Sequence, residues 1–185
     1  METVKILGLC GSLRKGSWNQ GALRAAIELA PKDAVVETFD LRDIPPFDQD
    51  QEKDPAPSVV ELKQKIREAD AVLFVSPEYN YSVPGVLKNA IDWASRPYGD
   101  SAWDGKPGAI MGASGGNIAT ARMQYHLRQI CVFLNIHLLN KPEVMIGKAP
   151  NKFDEDSNLT DETSRQMIAY LLEELVRWTR QLAKN

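Results

Sequence analysis

Three short segments concentrate the side chains that could do chemistry. The first, Gly11-Ser12-Leu13-Arg14-Lys15-Gly16-Ser17-Trp18-Asn19, places two hydroxyls, an amide and two cations just ahead of a run with helical spacing. A helix N-terminus offers unpaired N–H groups and a partial positive charge, so the segment suits a phosphate onto which Arg14 could fork. It suits equally an ordinary strand-to-helix turn capped by Ser17 or Asn19. The second, Ser76-Pro77-Glu78-Tyr79-Asn80-Tyr81-Ser82-Val83-Pro84-Gly85, is stiffened by two prolines and carries two tyrosines. Such a loop can border a planar ring, or pack its tyrosines on a sheet edge. Glu78 suits an N–H acceptor or N-cap better than a general base, because no histidine accompanies it. The third, Gly112-Ala113-Ser114-Gly115-Gly116-Asn117, is small enough for its main-chain amides to approach a ligand closely.

Other chemistries fail on spacing. Gly11 and Gly16 have the separation of a P-loop, but Ser17-Trp18 stands where Lys-Ser/Thr is needed. Gly8 and Gly11 do not make a GxGxxG, so a dinucleotide fingerprint is absent. Gly112, Ser114 and Gly116 match GxSxG, yet no acid lies between Ser114 and His137, and the hydrolase order of serine, acid, histidine cannot be met. Cys10 and Cys131 are distant and form no CxxC, and His126 and His137 are the only histidines, so neither a disulfide framework nor a metal site is expected. Cys10 reads as core and His137 as structural. His126, sharing a helix face with Arg122 and Tyr125, reads as solvent-facing or as part of an oligomer interface.

The 185 residues suit one domain spanning 1–185, with 43% hydrophobic and 25% charged content. A net charge of −3 argues against a nucleic-acid partner. No apolar run approaches the ~20 residues of a membrane span, and the opening residues lack a signal-peptide pattern, so a cytoplasmic protein with no membrane partner is expected. Strand-like runs at Val4–Cys10, Val35–Leu41, Ala71–Ser76, Gly108–Ala113 and His137–Ile146 alternate with helical patterns at Asn19–Ala30, Val59–Ala69, Pro84–Ser95, Ala119–Leu134 and a last helix capped by Thr160. Pro142 makes the fifth strand an edge strand or a bulged one. Pro45–Pro57 reads as a loop without helical pattern. Five apolar strands with intervening helices predict an α/β fold, a doubly wound five-stranded parallel sheet in three α/β/α layers. In such folds ligands sit beyond the carboxyl ends of the strands, where the three segments fall.

Gly11-Ser12-Leu13-Arg14-x-x-Ser17-x-Asn19 and Pro77-Glu78-Tyr79-Asn80-Tyr81-Ser82-x-Pro84-Gly85-x-Leu87-Lys88-Asn89-Ala90-Ile91-Asp92-Trp93 resemble the NADPH-dependent FMN reductase family, a flavodoxin-like group that includes bacterial quinone and chromate reductases. The resemblance implies a flavodoxin-like fold with FMN as cofactor and NAD(P)H as co-substrate. It implies hydride transfer from NAD(P)H to the flavin and then to a small-molecule electron acceptor, with quinones foremost and free flavin, azo, chromate or ferric compounds also in range. It places the FMN phosphate on Ser12, Arg14, Ser17 and Asn19 and on the amides of Gly16 and Trp18. Pro77, Glu78, Tyr79 and Asn80 would border the isoalloxazine ring, and Ser114 and Gly115 its pyrimidine end. No side-chain catalytic residue is required. It further implies a homo-oligomer, a dimer or tetramer, in which Arg96 and Tyr98 reach a neighbouring site. Asp100–Asp104 would reshape the substrate entrance. A flavodoxin-type FMN electron carrier without NAD(P)H turnover is the alternative.

Overall fold

The structure is a computed structural model that describes residues 2–184. Strands β1 (Val4–Cys10), β2 (Ala34–Phe39), β3 (Ala71–Val75) and β4 (Pro107–Ala113) lie parallel in the order β2-β1-β3-β4. The edge beyond β4 is shared by β5 (His137–Leu138) and β6 (Val144–Ile146), each parallel to β4 at a different height. Helices α1 (Trp18–Glu28) and α5 (Glu162–Leu182) cover one face. Helices α2 (Pro57–Glu68), α3 (Gly85–Ala94) and α4 (Ala121–Phe133) cover the other. This is the flavodoxin-like three-layer sheet expected from the alternation of elements.

Burial on both faces explains the unbroken apolar strands. In β3, Ala71, Leu73 and Val75 pack towards α1 and α5, while Val72 and Phe74 pack towards α2, α3 and α4. Each of the larger of these side chains contributes about 1.5–3 kcal/mol by leaving water. The edge is broken as Pro142 foretold, because proline has no N–H for a ladder. Helix α4 takes over there: Arg128 Nη2 donates to the Leu139 carbonyl (3.0 Å) and Gln124 Nε2 to that of Val144 (2.9 Å).

Several expectations shift. Helix α4 begins at Ala121 rather than Ala119, because Ala119 has a left-handed φ of 54° that no helix can include. Thr160 does not cap α5; its hydroxyl donates to the Lys152 carbonyl, and Asp161 caps instead by accepting from Ser164 N (2.9 Å) and Ser164 Oγ (2.6 Å). Those bonds hold the Asp161 carboxyl below its ordinary range. Pro84 precedes α3 at its N-cap instead of opening its first turn. The Pro45–Pro57 segment contains a 3₁₀ turn at Gln49–Gln51. It is stapled to α3 by Asn89, which accepts from Phe47 N (2.7 Å) and donates to Pro45 O (2.8 Å), and by Trp93 Nε1 to the same carbonyl (2.8 Å).

The Asp100–Asp104 loop joins the end of α3 to the start of β4, so within its own chain it lies at the edge opposite the strands' carboxyl ends. Lys63 and Arg67 of α2 hold Asp100 there at 2.7 Å and 2.6 Å. Arg96 is tied to Glu52 and lies 3.8 Å over the ring of Tyr98. Asp100–Asp104, expected to reshape the substrate entrance, thus lies away from the three ligand-facing loops of its own chain.

Both thiols are buried, and burial pushes Cys10 up to about 11 and Cys131 up to about 12. A thiol whose pKa is raised stays protonated, and unreactive, until the pH approaches that value. A dithionitrobenzoate assay at about pH 8 is expected to label neither cysteine in the folded protein and both after denaturation. Fast labelling of the folded protein would contradict this packing.

Candidate functional site

The carboxyl ends of β1, β3 and β4 meet at Ser76, which is fully buried. It can sit there because its neighbours are bare. A Cβ on Gly11 would lie 2.4 Å from Ser76 Oγ, and one on Gly112 would lie 2.2 Å from Ser76 O. The main chains of the three ligand-facing loops therefore leave the sheet side by side, at the point where the strand order reverses between β1 and β3.

The first loop runs from Gly11 into α1. Ser17 is the N-cap, and its Oγ accepts from Asn19 N (3.2 Å) and Gln20 N (3.4 Å). Before that cap, none of the main-chain N–H groups from Ser12 to Trp18 meets an acceptor among the described residues. These donors share the positive end of the α1 dipole. Arg14, exposed, lies 5.4 Å over the Trp18 ring. The array fits an anionic group: donors are in excess, a cation stands at the rim, and no carboxylate bonds to it.

Asn19 joins the first loop to the end of β4. It is buried, its Nδ2 donates to Ala113 O (2.9 Å), and its Oδ1 accepts from Ala113 N (2.8 Å). These two bonds use one of the two amide N–H groups and the carbonyl oxygen of Asn19. The side chain fixes the start of α1 against the end of β4.

In the second loop, Tyr79 and Ser82 exchange main-chain hydrogen bonds (3.1 and 2.9 Å) around Asn80 and Tyr81, which have φ of 50° and 65°. Two successive left-handed residues make the tight turn that Asn favours and Tyr does not. Tyr79 and Tyr81 stay exposed rather than packing on the sheet edge. Glu78 is an N-cap for a helix in another part of the chain: its Oε2 accepts from Met123 N (3.0 Å) in the first turn of α4, where Thr120 supplies no side-chain cap. Its Oε1 takes the Arg122 guanidinium (2.5 Å), which in turn lies 3.7 Å from the Tyr81 ring. Ser82 Oγ meets Nδ1 of exposed His126 at 2.8 Å. Sequence reading placed Arg122 and His126 on one helix face but could not show that the second loop would dock there.

In the third loop the Ser114 N–H is already given to Ile146 O (2.9 Å), and Ser114 Oγ accepts from Gly116 N (3.3 Å). Gly115 and Asn117 retain main-chain N–H groups without a protein acceptor among the described residues. The Trp18 ring approaches within 3.7 Å of the point a Cβ on Gly115 would occupy, so it joins the first loop to the third. Between the second and third loops lies a cleft of about 420 Å³ lined by Glu78, Asn80, Tyr81, Ser114, Asn117 and Arg122. Pro77, just before this loop segment, is buried, and Ser76 Oγ donates to its carbonyl (3.0 Å).

Comparison with known proteins agrees with this geometry. The family described as NADPH-dependent FMN reductase matches residues 4–151. The chain is 51% identical over 182 residues, 98% of each sequence, to an NAD(P)H-dependent FMN reductase of Pseudomonas aeruginosa. It is 43% identical over 177 residues, 96% of this chain and 97% of the other, to a 2-hydroxy-1,4-benzoquinone reductase of a Burkholderia species. Its fold superposes with a TM-score of 0.89 and 34% identity on FerB, a flavoenzyme NAD(P)H:(acceptor) oxidoreductase from Paracoccus denitrificans, covering 97% of this chain and 98% of that one.

Replacing Asn19 with alanine would leave a buried donor and a buried acceptor of Ala113 unpaired, each costing about 1–3 kcal/mol. Asn19→Ala is expected to lose about 2–5 kcal/mol in urea unfolding. A loss below 1 kcal/mol would mean that the Asn19–Ala113 clasp contributes little.

Proposed function

The chain belongs to the NADPH-dependent FMN reductase family, and from that premise we propose how its loops serve the reaction and which acceptor it reduces. It is an NAD(P)H-dependent oxidoreductase with FMN as its cofactor. Bound in this site, FMN would supply the hydride relay between NAD(P)H and a small acceptor. The observation that carries the reading is the row of N–H groups from Ser12 to Trp18, at the α1 N-terminus, that have no acceptor among the described residues.

In this reading that row holds the FMN phosphate, helped by the hydroxyls of Ser12 and Ser17 and by Arg14 at the rim. Asn19 acts through the main chain it steadies, and Trp18 flanks the chain leading from phosphate to ring. The N–H groups of Gly115 and Asn117 face the pyrimidine edge, where fixed donors stabilise negative charge without reorganising. Ser114 anchors that loop. Pro77, Glu78, Tyr79 and Asn80 border the ring as main-chain and ring surface. The Glu78 carboxylate stays with α4 and moves no proton. An open cleft beside exposed Tyr79 and Tyr81 admits the nicotinamide and then the acceptor in turn. No acid–base pair is asked of the protein, since a hydride relay would be the cofactor's chemistry.

A quinone is the acceptor this reading favours, supported by the likeness to a benzoquinone reductase. A homo-oligomer, dimer or tetramer, is supported by Val132 and Phe133, which stand 81% exposed at the end of α4. None of the described helices is long and apolar enough to cross a membrane. A cytoplasmic setting, where NAD(P)H is supplied, accords with the reading.

Arg14→Ala removes a charged phosphate partner and is expected to weaken FMN binding by about tenfold or more, leaving riboflavin binding unchanged. Flavin-fluorescence titration of the apoprotein checks this; equal FMN affinity would refute the phosphate role. In steady state with NADPH and a benzoquinone, the wild-type protein is expected to turn over catalytically. A single stoichiometric oxidation would instead identify an electron carrier.

A further inference from the structure

The segment between β6 and α5 is folded onto the first loop with more care than a connector requires. Arg24 Nη2 on α1 donates to the carbonyls of Asp156 (3.1 Å) and Ser157 (3.0 Å) and to Asn158 Oδ1 (3.1 Å). Asp154 accepts from Asn158 N (2.7 Å) and Asn158 Nδ2 (3.1 Å), closing the turn from the other side. Phe153 packs against Trp18, with ring centroids 6.5 Å apart. Residue 21 has to be glycine for this docking, because a Cβ there would sit 1.8 Å from the Ser157 carbonyl oxygen.

The docking delivers one side chain to the anion-binding end of α1. Ser157 is only 5% exposed, and its hydroxyl makes no hydrogen bond among the described residues. Its Oγ lies 3.7 Å from the point a Cβ on Gly16 would occupy, and Arg14 Nη1 lies 3.5 Å from that same point. Ser157 also holds φ at 60°, a left-handed conformation that glycine would adopt without strain. The Ser157 oxygen is not sealed from solvent, so the hydroxyl can take a partner from outside the protein.

We propose that Ser157 is a fourth-loop ligand of the cofactor phosphate, its hydroxyl donating to a phosphate oxygen beside Arg14 and the Gly16 main chain. The inference rests on the reading of the Ser12–Trp18 segment as the phosphate site and extends it to a segment 138 residues further along the chain than Asn19. Retention of FMN is thereby coupled to the β6–α5 segment. The phosphate-free flavin gains nothing from it.

The test is flavin-fluorescence titration of the apoprotein with FMN and with riboflavin, for wild type, Ser157→Ala, Ser157→Gly and Arg14→Ala. Ser157→Gly removes the hydroxyl while relieving the left-handed backbone, so it separates a ligand from a turn former. Both Ser157 variants are expected to bind FMN about tenfold more weakly with riboflavin affinity unchanged. Inorganic phosphate is expected to compete less well with FMN for these variants than for wild type. FMN affinity within twofold of wild type in both variants, with Arg14→Ala still impaired, would overturn the role of Ser157 alone. Equal loss of FMN and riboflavin would overturn it as well, by showing that the residue only shapes the loop. A wild type that binds FMN no more tightly than riboflavin would bring down the phosphate reading itself, and this inference with it.

Discussion

A stretch of main chain whose N–H groups find no acceptor among the described residues is the constraint around which the rest is arranged. The N–H groups from Ser12 to Trp18 gather at the positive end of α1. Holding so many donors in one place requires the loop to be rigid without consuming them. The protein achieves this with side chains and carbonyls instead. Gln20 Nε2 donates to the Ser12 carbonyl (3.1 Å), Ser17 caps behind the row, and Asn19 clasps β4. The main-chain nitrogens remain available for an anion.

The same economy recurs in the other two loops. Glu78 could have been a base; its carboxylate instead closes the first turn of α4 and holds Arg122. Ser114 could have been a nucleophile; its N–H and hydroxyl instead tie the third loop to β6 and to Gly116. Side chains of the kinds that perform acid–base or nucleophilic chemistry are thus committed to positioning. A reaction carried by a bound coenzyme asks for that division, since the protein then contributes orientation and electrostatics.

The two edges of the sheet have different tasks. At the carboxyl edge, bare glycines allow Ser76 and three loops to converge. At the opposite edge, Lys63, Arg67, Arg96 and Glu52 hold the connection from α3 to β4 in a charged network, several of whose members are largely buried. Because burying such charges is costly unless each is paired, this network serves to fix one loop geometry more than to add stability.

Periodicity and composition alone determined the layer architecture, the parallel sheet and the three loops that carry the site. Apolar strands buried on two faces and helices with one apolar stripe leave few other ways to pack, and ligand loops must then fall at the strands' carboxyl ends. The Pro77–Trp93 motif was legible because its residues are contiguous. Only the tertiary structure decided that Asn19 faces β4, that Glu78 caps a helix starting 43 residues later, and that Ser157 reaches the first loop. Those placements depend on which distant polar groups folding brings together. A polar side chain's type gives what it can donate or accept, while its partner is chosen by the packing of elements distant in the chain.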